Sequence, residues 1–460
     1  MKTQMLEVVV LAAGAGTRMR SRVPKVFHTL LDSPILAHVV SAVQAASPAR
    51  VHVIIQPAMQ ELAEQTLDLG AVNWVYQESQ DGTGHAVLQA IPHLAEDATI
   101  VIVTGDTPLL SAQTIQKAAS ACTEGITIVT ADLEDPCGYG RIERDSSGKV
   151  IAIVENKDAS PAQKKIREVN SGIIGVSRSI FEQLLGRLTR NNAQKELYLT
   201  EIVQLAVEAG IPVQTVAVDD PDEIRGINDR VELAAVEKIL RHRRVRELMQ
   251  NGLTLRDPDR FDLRGNLVTG LDCVIDVNVL IEGEVRLGDG VYIGPGSVLR
   301  NTEIGTDAKV LEYSILESAK VGKRCSIGPF ARIRPGTSLA DEVRVGNFVE
   351  VKASQLGTGA KASHLAYIGD ANIGANTNVG AGAITCNFDG ERKHQTVIGD
   401  DVFIGTNSTL IAPLNVHSGA FIAAGTTVTR DVKNPSLVVS RTRQREIENW
   451  VPPTVRRKKP

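Results

Sequence analysis

The sequence predicts two unlike parts in one chain: an α/β domain with a mostly parallel sheet, then an all-β left-handed parallel β-helix of hexapeptide repeats. Two observations carry the division. Short apolar strands alternate with helical stretches through the first half, whereas aliphatic residues recur at every sixth position through the second. The third observation is compositional: 15 of the 39 glycines stand in residues 1–250 and 24 in 251–460, and only 3% of the chain is aromatic. Large cores are usually anchored by aromatic rings, so much of this chain must pack without them.

In the first half, Val8-Val9-Val10-Leu11, Val51-His52-Val53-Ile54-Ile55 and Thr99-Ile100-Val101-Ile102-Val103 are continuous apolar runs. Strands that are apolar on both faces and separated by helices indicate a parallel sheet covered on both sides, a Rossmann-like arrangement. In the second half, Ile275, Ile281, Leu287 and Ile293 are spaced by six. So are Val321 to Val351 by way of Ile327, Ile333, Leu339 and Val345, and Ile398 to Val428 by way of Ile404, Leu410, Val416 and Ile422. Neither a 3.6-residue helix nor a period-2 strand sustains a period of six. A triangular coil does, with one hexapeptide on each side, the aliphatic residue inward and small residues at the corners. A glycine-rich sandwich matches the composition but not three long runs in phase. Between the halves, Asp229 to Met249 has helical periodicity and many charges, a linker helix whose basic cluster reads as a solvated face. The expected division is 1–228, a linker over 229–251, and 252–460 ending in a basic tail.

The balance of 50 Lys+Arg against 54 Asp+Glu speaks against a nucleic-acid partner. Five scattered cysteines without a Cys-x-x-Cys pair suit a reducing compartment, not a disulfide framework or zinc site. No apolar run approaches the roughly 20 residues that span a bilayer, and the N-terminus lacks a secretory h-region. The expectation is a cytoplasmic protein with no membrane partner.

Leu11-Ala12-Ala13-Gly14-Ala15-Gly16-Thr17-Arg18-Met19 follows the first strand. Its glycines allow backbone N–H groups to approach a phosphate near a helix N-terminus. It is neither the dinucleotide fingerprint, because Met19 replaces the third glycine, nor a P-loop. A tight turn explains the loop alone equally well. Pro24-Lys25 and Arg18 add cations beside it. Asp106 in Thr104-Gly105-Asp106 ends an apolar strand; it reads as a carboxylate in the ligand crevice or as a cap for the next helix.

The pattern L-x-x-G-x-G-T-x-M…P-K, with Gln77, Asp81-Gly82-Thr83-Gly84-His85-Ala86 and Thr104-Gly105-Asp106, resembles the signature of sugar-phosphate nucleotidyltransferases. The resemblance implies that the loop, Arg18 and Lys25 hold a nucleoside triphosphate and stabilise charge. Leu11, Ala12, Ala13, Gly14, Gln77, Gly82, Thr83, Thr104, Gly105 and Asp106 would contact UTP. Gly140, Glu155 and Asn170 would line the sugar site, and Asp106 with Asn228 would ligate Mg²⁺. The implied reaction is in-line attack by a sugar 1-phosphate on the α-phosphorus of UTP, which needs no general base. Ala15, a position often polar in relatives, is read as a tuning difference.

The second half is similar to the acetyltransferase part of a family of bifunctional bacterial enzymes of UDP-N-acetylglucosamine synthesis, and the likeness spans essentially the whole chain. Arg332-Ile333-Arg334-Pro335-Gly336, Gly346 to Lys352, His364 to Gly369, Gly380-Ala381-Gly382 and Thr385 to Gly390 carry it. It implies His364 as general base, with Arg334, Lys352, Tyr367 and Asn378 on glucosamine 1-phosphate. Ala381, Asn387, Phe388, Thr406, Ala424 and Arg441 would line acetyl-CoA. Phe388 stands where Tyr is common and Thr406 where Ser is. The implied partners are small-molecule substrates, and the implied assembly is a homotrimer that shares sites between copies. Two other readings remain open at this point: a nucleotidyltransferase whose β-helix is structural or regulatory, and a β-helix that is a protein-binding scaffold.

Overall fold

The computed structural model describes residues 5–440 and 442–451 and divides into two compact units between Leu240 and Arg241. In the first, seven main strands are β1 (Met5–Leu11), β2 (Arg50–Ile55), β3 (Asn73–Tyr76), β4 (Ala98–Thr104), β5 (Ile126–Asp132), β6 (Glu168–Ser177) and β7 (Val213–Ala217). Their order is β7-β5-β6-β4-β1-β2-β3, parallel except for β6, which runs antiparallel to β4 and β5. Alternate residues serve opposite cores. Val8, Val10, Val101 and Val103 join one apolar cluster, and Val9, Ile100 and Ile102 the other, so a run with no polar face is what a doubly covered strand requires. The chain runs from β1 outward through β2 and β3, then returns to the other flank of β1 as β4. That reversal opens a crevice beyond the carboxyl ends of β1 and β4, where Leu11 is in register with Thr104 and Ile54.

In the second unit the named strands among the described residues all pair in parallel, and one coil takes 17 or 18 residues: Ile293 pairs with Val310 and Ile327 with Val345. The aliphatics of the period-six runs are buried in a single core, from Ile275 to Val428. Between Val379 and Ile404, paired in adjacent coils, an extra loop lengthens the turn. The aromatic rings stand mostly outside. Tyr313, Phe330 and Phe348 form an exposed ladder with centroids 5.3 and 5.4 Å apart, and Phe403 stacks on Phe421 at 4.5 Å.

The corners correct the expectation of small residues. What a corner needs is a left-handed backbone, supplied by Gly290, Gly359 and Asn376 but also by Tyr313, Phe330, Phe348 and Leu365 at φ between 47° and 56°. Bulky residues there cost roughly 1–2 kcal/mol each, a cost borne by the parallel ladders on either side.

Helix α1 (Thr83–Ala90) borders the crevice, and α2 (Arg230–Gln250) contains the unit division. The first half of α2 packs Val236, Leu233 and Ile239 on Leu30, Ile35 and Ile227. Val245 and Leu248 belong to the core of the coil.

Candidate functional site

The crevice of the first unit holds a cavity of about 320 Å³ lined by Leu11, Ala12, Ala13, Gly14, Lys25, Gln77, Gly82, Thr83, Thr104 and Asp106. Local backbone demands explain the glycines. Gly16 sits at φ 61°, and a Cβ there would stand 2.5 Å from Lys25 Cβ, so glycine lets Lys25 close on the loop. Gly14 has no heavy atom within 4 Å of that position, which leaves its backbone open to the cavity. Gly105 donates to the Leu11 carbonyl at 2.8 Å. Gly82, at φ 104°, lets the start of α1 lie against the Leu197 backbone.

Lys25 is the centre of charge. Its ammonium pairs with Asp106 Oδ2 and donates to Asn228 Oδ1 at 3.2 Å. Asn228 is brought across by a backbone bond from Ile227 N to the Asp106 carbonyl, and Glu232 accepts from Asn228 N at 2.6 Å. The two oxygens implied as Mg²⁺ ligands thus already converge on a cation.

Beside this cavity, Gly140, Glu155 and Asn170 form a second cluster. Asn170 N donates to the Gly140 carbonyl at 2.9 Å, and a Cβ on Gly140 would be 3.6 Å from the Glu155 carboxylate. Thr200 Oγ1 donates to Glu155 at 3.0 Å, and burial pushes that carboxyl above its usual range. The link to the cavity is Gly172, whose missing Cβ would lie 3.1 Å from Thr104 Cγ2. Arg18 lies exposed on the single turn Thr17–Met19, outside the residues that line the cavity. Met19, in place of the third glycine, is buried. Ala86, from the quoted segment, lines the cavity too, and Gln80, Val26 and Glu196 line it without having been singled out by the sequence.

In the coil, the Cα register places Asn347 beside His364. His364 Nδ1 lies 2.8 Å from Asn347 Oδ1. The amide oxygen can only accept, so Nδ1 carries the proton and Nε2 is left as the basic nitrogen of the exposed ring. Ala381, Thr406 and Ala424 recur two residues beyond the paired Val379, Ile404 and Ile422, one coil after another along this edge. Asn407 N donates to Ala381 O and Gly425 N to Thr406 O, each at 2.8 Å. Arg441 and the basic tail from Arg456 to Lys459 lie outside the described residues.

The adjacent face gathers charge. Glu350 accepts from Arg334 Nη1 at 2.7 Å, and Lys352 Nζ is 3.6 Å from Asp370 Oδ2. Asn387 Nδ2 donates to that same Asp370 oxygen and lies 3.5 Å from the Tyr367 hydroxyl. The loop that interrupts the repeats, turned by Asp389 accepting from Glu391 N and Arg392 N, adds Lys393. Lys352 faces it and pushes the Lys393 ammonium down from its usual range. A like charge nearby disfavours the charged form of each ammonium. Phe388 is exposed and bridges Lys393 through the backbone. Asn378 stands apart within the chain: it is on the other face, in register with Lys361 and Phe403. Sequence reasoning gave no role to Asn347, Asp370 or Lys393. The interruption of the period around Lys393 was the available signal.

A glycine loop and cavity at the strand ends of a mostly parallel sheet, followed in the chain by a hexapeptide coil with an oriented histidine, define a nucleotidyltransferase domain fused to a left-handed β-helix of the acyltransferase type. Comparison agrees. Residues 8–190 match the MobA-like NTP transferase domain, and 395–430 match the hexapeptide repeat of succinyl-transferase. The chain is 47% identical over 447 residues to the bifunctional protein GlmU of Alkalilimnicola ehrlichii, an alignment covering 97% of this chain and 96% of the relative. The chain belongs to the GlmU family. No helix among the described residues is long and apolar enough to cross a membrane.

Proposed function

We propose that the chain makes UDP-N-acetylglucosamine in two steps: acetyl transfer from acetyl-CoA to glucosamine 1-phosphate, then uridylyl transfer from UTP to the acetylated sugar phosphate. The observation that carries the two-step reading is the His364–Asn347 pair at the edge of the coil. A β-helix that only assembles or regulates has no need of a histidine with its tautomer fixed beside a cluster of cations.

In the acetyl-transfer step, Arg334, Lys352 and Lys393 hold the sugar phosphate, and Tyr367 with Asn387 flank it. The sugar amine attacks the thioester carbonyl, His364 Nε2 takes the amine proton, and CoA departs as the thiol after protonation. Ala381, Thr406 and Ala424 mark the run of acetyl-CoA along the edge, with Asn387 and Phe388 beside it; Arg441 is assigned to the same ligand by the family resemblance alone. Within one chain Asn378 is on a different face from Arg334, Lys352 and Tyr367. This supports a site shared between copies in a homotrimer, in line with closed symmetry as the norm for oligomers.

In the uridylyl-transfer step, a phosphate oxygen of the sugar attacks the α-phosphorus and pyrophosphate leaves. The open backbone at Gly14 and the Lys25 ammonium balance charge on the phosphates, and Gly140, Glu155 and Asn170 orient the sugar. Asp106 and Asn228 offer two hard oxygens, which suits Mg²⁺, an ion that keeps waters and substrate phosphates as its other ligands. Bound there, the ion would neutralise phosphate charge. Arg18 acts from the rim. The five free cysteines suit a reducing compartment such as the cytoplasm. Protein incubated with glucosamine 1-phosphate, acetyl-CoA, UTP and Mg²⁺ should release CoA and pyrophosphate in equal amounts. Release of pyrophosphate alone, from added N-acetylglucosamine 1-phosphate, would leave only the monofunctional alternative.

A further inference from the structure

Arg141 is 2% exposed, and among the described residues no carboxylate pairs with it. Burying an unpaired charge costs several kcal/mol, so its place in the fold calls for a reason. Its backbone is sandwiched, in register with Val154 on one side and Val169 on the other. Gly140 precedes it, Glu155 follows Val154 and Asn170 follows Val169. The sugar cluster is therefore the next rung of the same three-stranded ladder.

The side chain leaves the strand on the face opposite that of Gly140, as strand alternation requires. There its guanidinium donates to the Tyr139 carbonyl, to Asn156 Oδ1 at 3.4 Å and to the Lys164 carbonyl at 3.5 Å, with Nε lacking an acceptor. Tyr139 is the residue before Gly140, and Asn156 is the residue after Glu155. One planar fork thus ties together the two loops that present the sugar contacts, from behind. A lysine would reach with a single point charge and could not span three acceptors on two segments.

We infer that Arg141 is a positioning residue of the uridylyl-transfer site, fixing Gly140 and Glu155 in the spacing that the sugar phosphate needs. The inference rests on the uridylyl-transfer reading given above. Because no carboxylate among the described residues pairs with the guanidinium, its charge also leaves a favourable potential for an anionic acceptor.

The test is steady-state uridylyl transfer by the full chain, with UTP and N-acetylglucosamine 1-phosphate varied separately. R141K should raise KM for the sugar phosphate about tenfold, below the roughly hundredfold that a 1 Å misplacement can cost, with KM for UTP within about twofold. Acetyl transfer by the same preparation should not change. Asn156→Ala removes one acceptor, leaves the guanidinium in place and should raise the same KM by a smaller factor. Equal changes in both KM values, or none in either variant, would overturn the inference. If R141K unfolds the first unit, Asn156→Ala still decides. Absence of pyrophosphate release from the wild-type protein would instead contradict the uridylyl-transfer reading itself.

Discussion

Single residues do two kinds of electrostatic work here. At His364 the protein sets a tautomer: Asn347 Oδ1 fixes the proton on Nδ1 and leaves Nε2 free to act as a base. Asn347→Ala should lower kcat for acetyl transfer about 10- to 100-fold, a part of what general-base catalysis contributes, with KM for acetyl-CoA unchanged. An unaltered kcat would show that the pair has no catalytic part. At Glu155 the protein accepts a cost. Burial raises the carboxyl above its usual range, so the neutral form favours folding. That contribution is present at low pH and is lost as pH rises through the raised folded value. Glu155→Gln should therefore raise the melting midpoint of the first unit at pH 8 by about 2–4 °C, the shift for roughly 1 kcal/mol in a domain of this size. The gain should fade toward pH 4 while sugar binding weakens. A lower midpoint at pH 8 would contradict this account of Glu155.

At the scale of elements, the close stacking of coils is what makes the acetyl-transfer edge. Gly346 precedes Asn347, and a Cβ on it would stand 1.9 Å from the Ser363 carbonyl, next to His364. Gly346→Ala cannot fit without moving one coil away from the next, which overpacking data place at about 1–3 kcal/mol. The expected result is loss of acetyl transfer with uridylyl transfer retained, read by measuring CoA and pyrophosphate release on one preparation. Equal retention of both would mean the edge tolerates the shift. This element was readable because its period is written directly in the aliphatics. The corners were read less well. A left-handed backbone, not a small side chain, is the requirement, and Tyr313, Phe330, Phe348 and Leu365 meet it with bulky groups. No composition rule separates those cases, since the cost is met by neighbouring ladders.

For the whole molecule, the residues legible in sequence are those carried by local motifs: the loop with Lys25, the strand end with Asp106, and His364 in its segment. Asn347, Asp370 and Lys393 were not assigned roles because their partners stand on other coils: Asn347 meets His364 one coil on and Asp370 meets Lys352 one coil back, while Lys393 comes from the loop that interrupts the period. Arg18 belongs to the loop motif and stands exposed beside the residues that line the cavity. The central claim is that two independent chemistries reside in one chain. The most direct measurement follows CoA and pyrophosphate release separately in Asp106→Ala and His364→Ala, supplying each reaction with its own substrate. The account predicts that Asp106→Ala loses pyrophosphate release by at least about 100-fold and keeps CoA release, and that His364→Ala does the reverse. Loss of both activities from either substitution would contradict it.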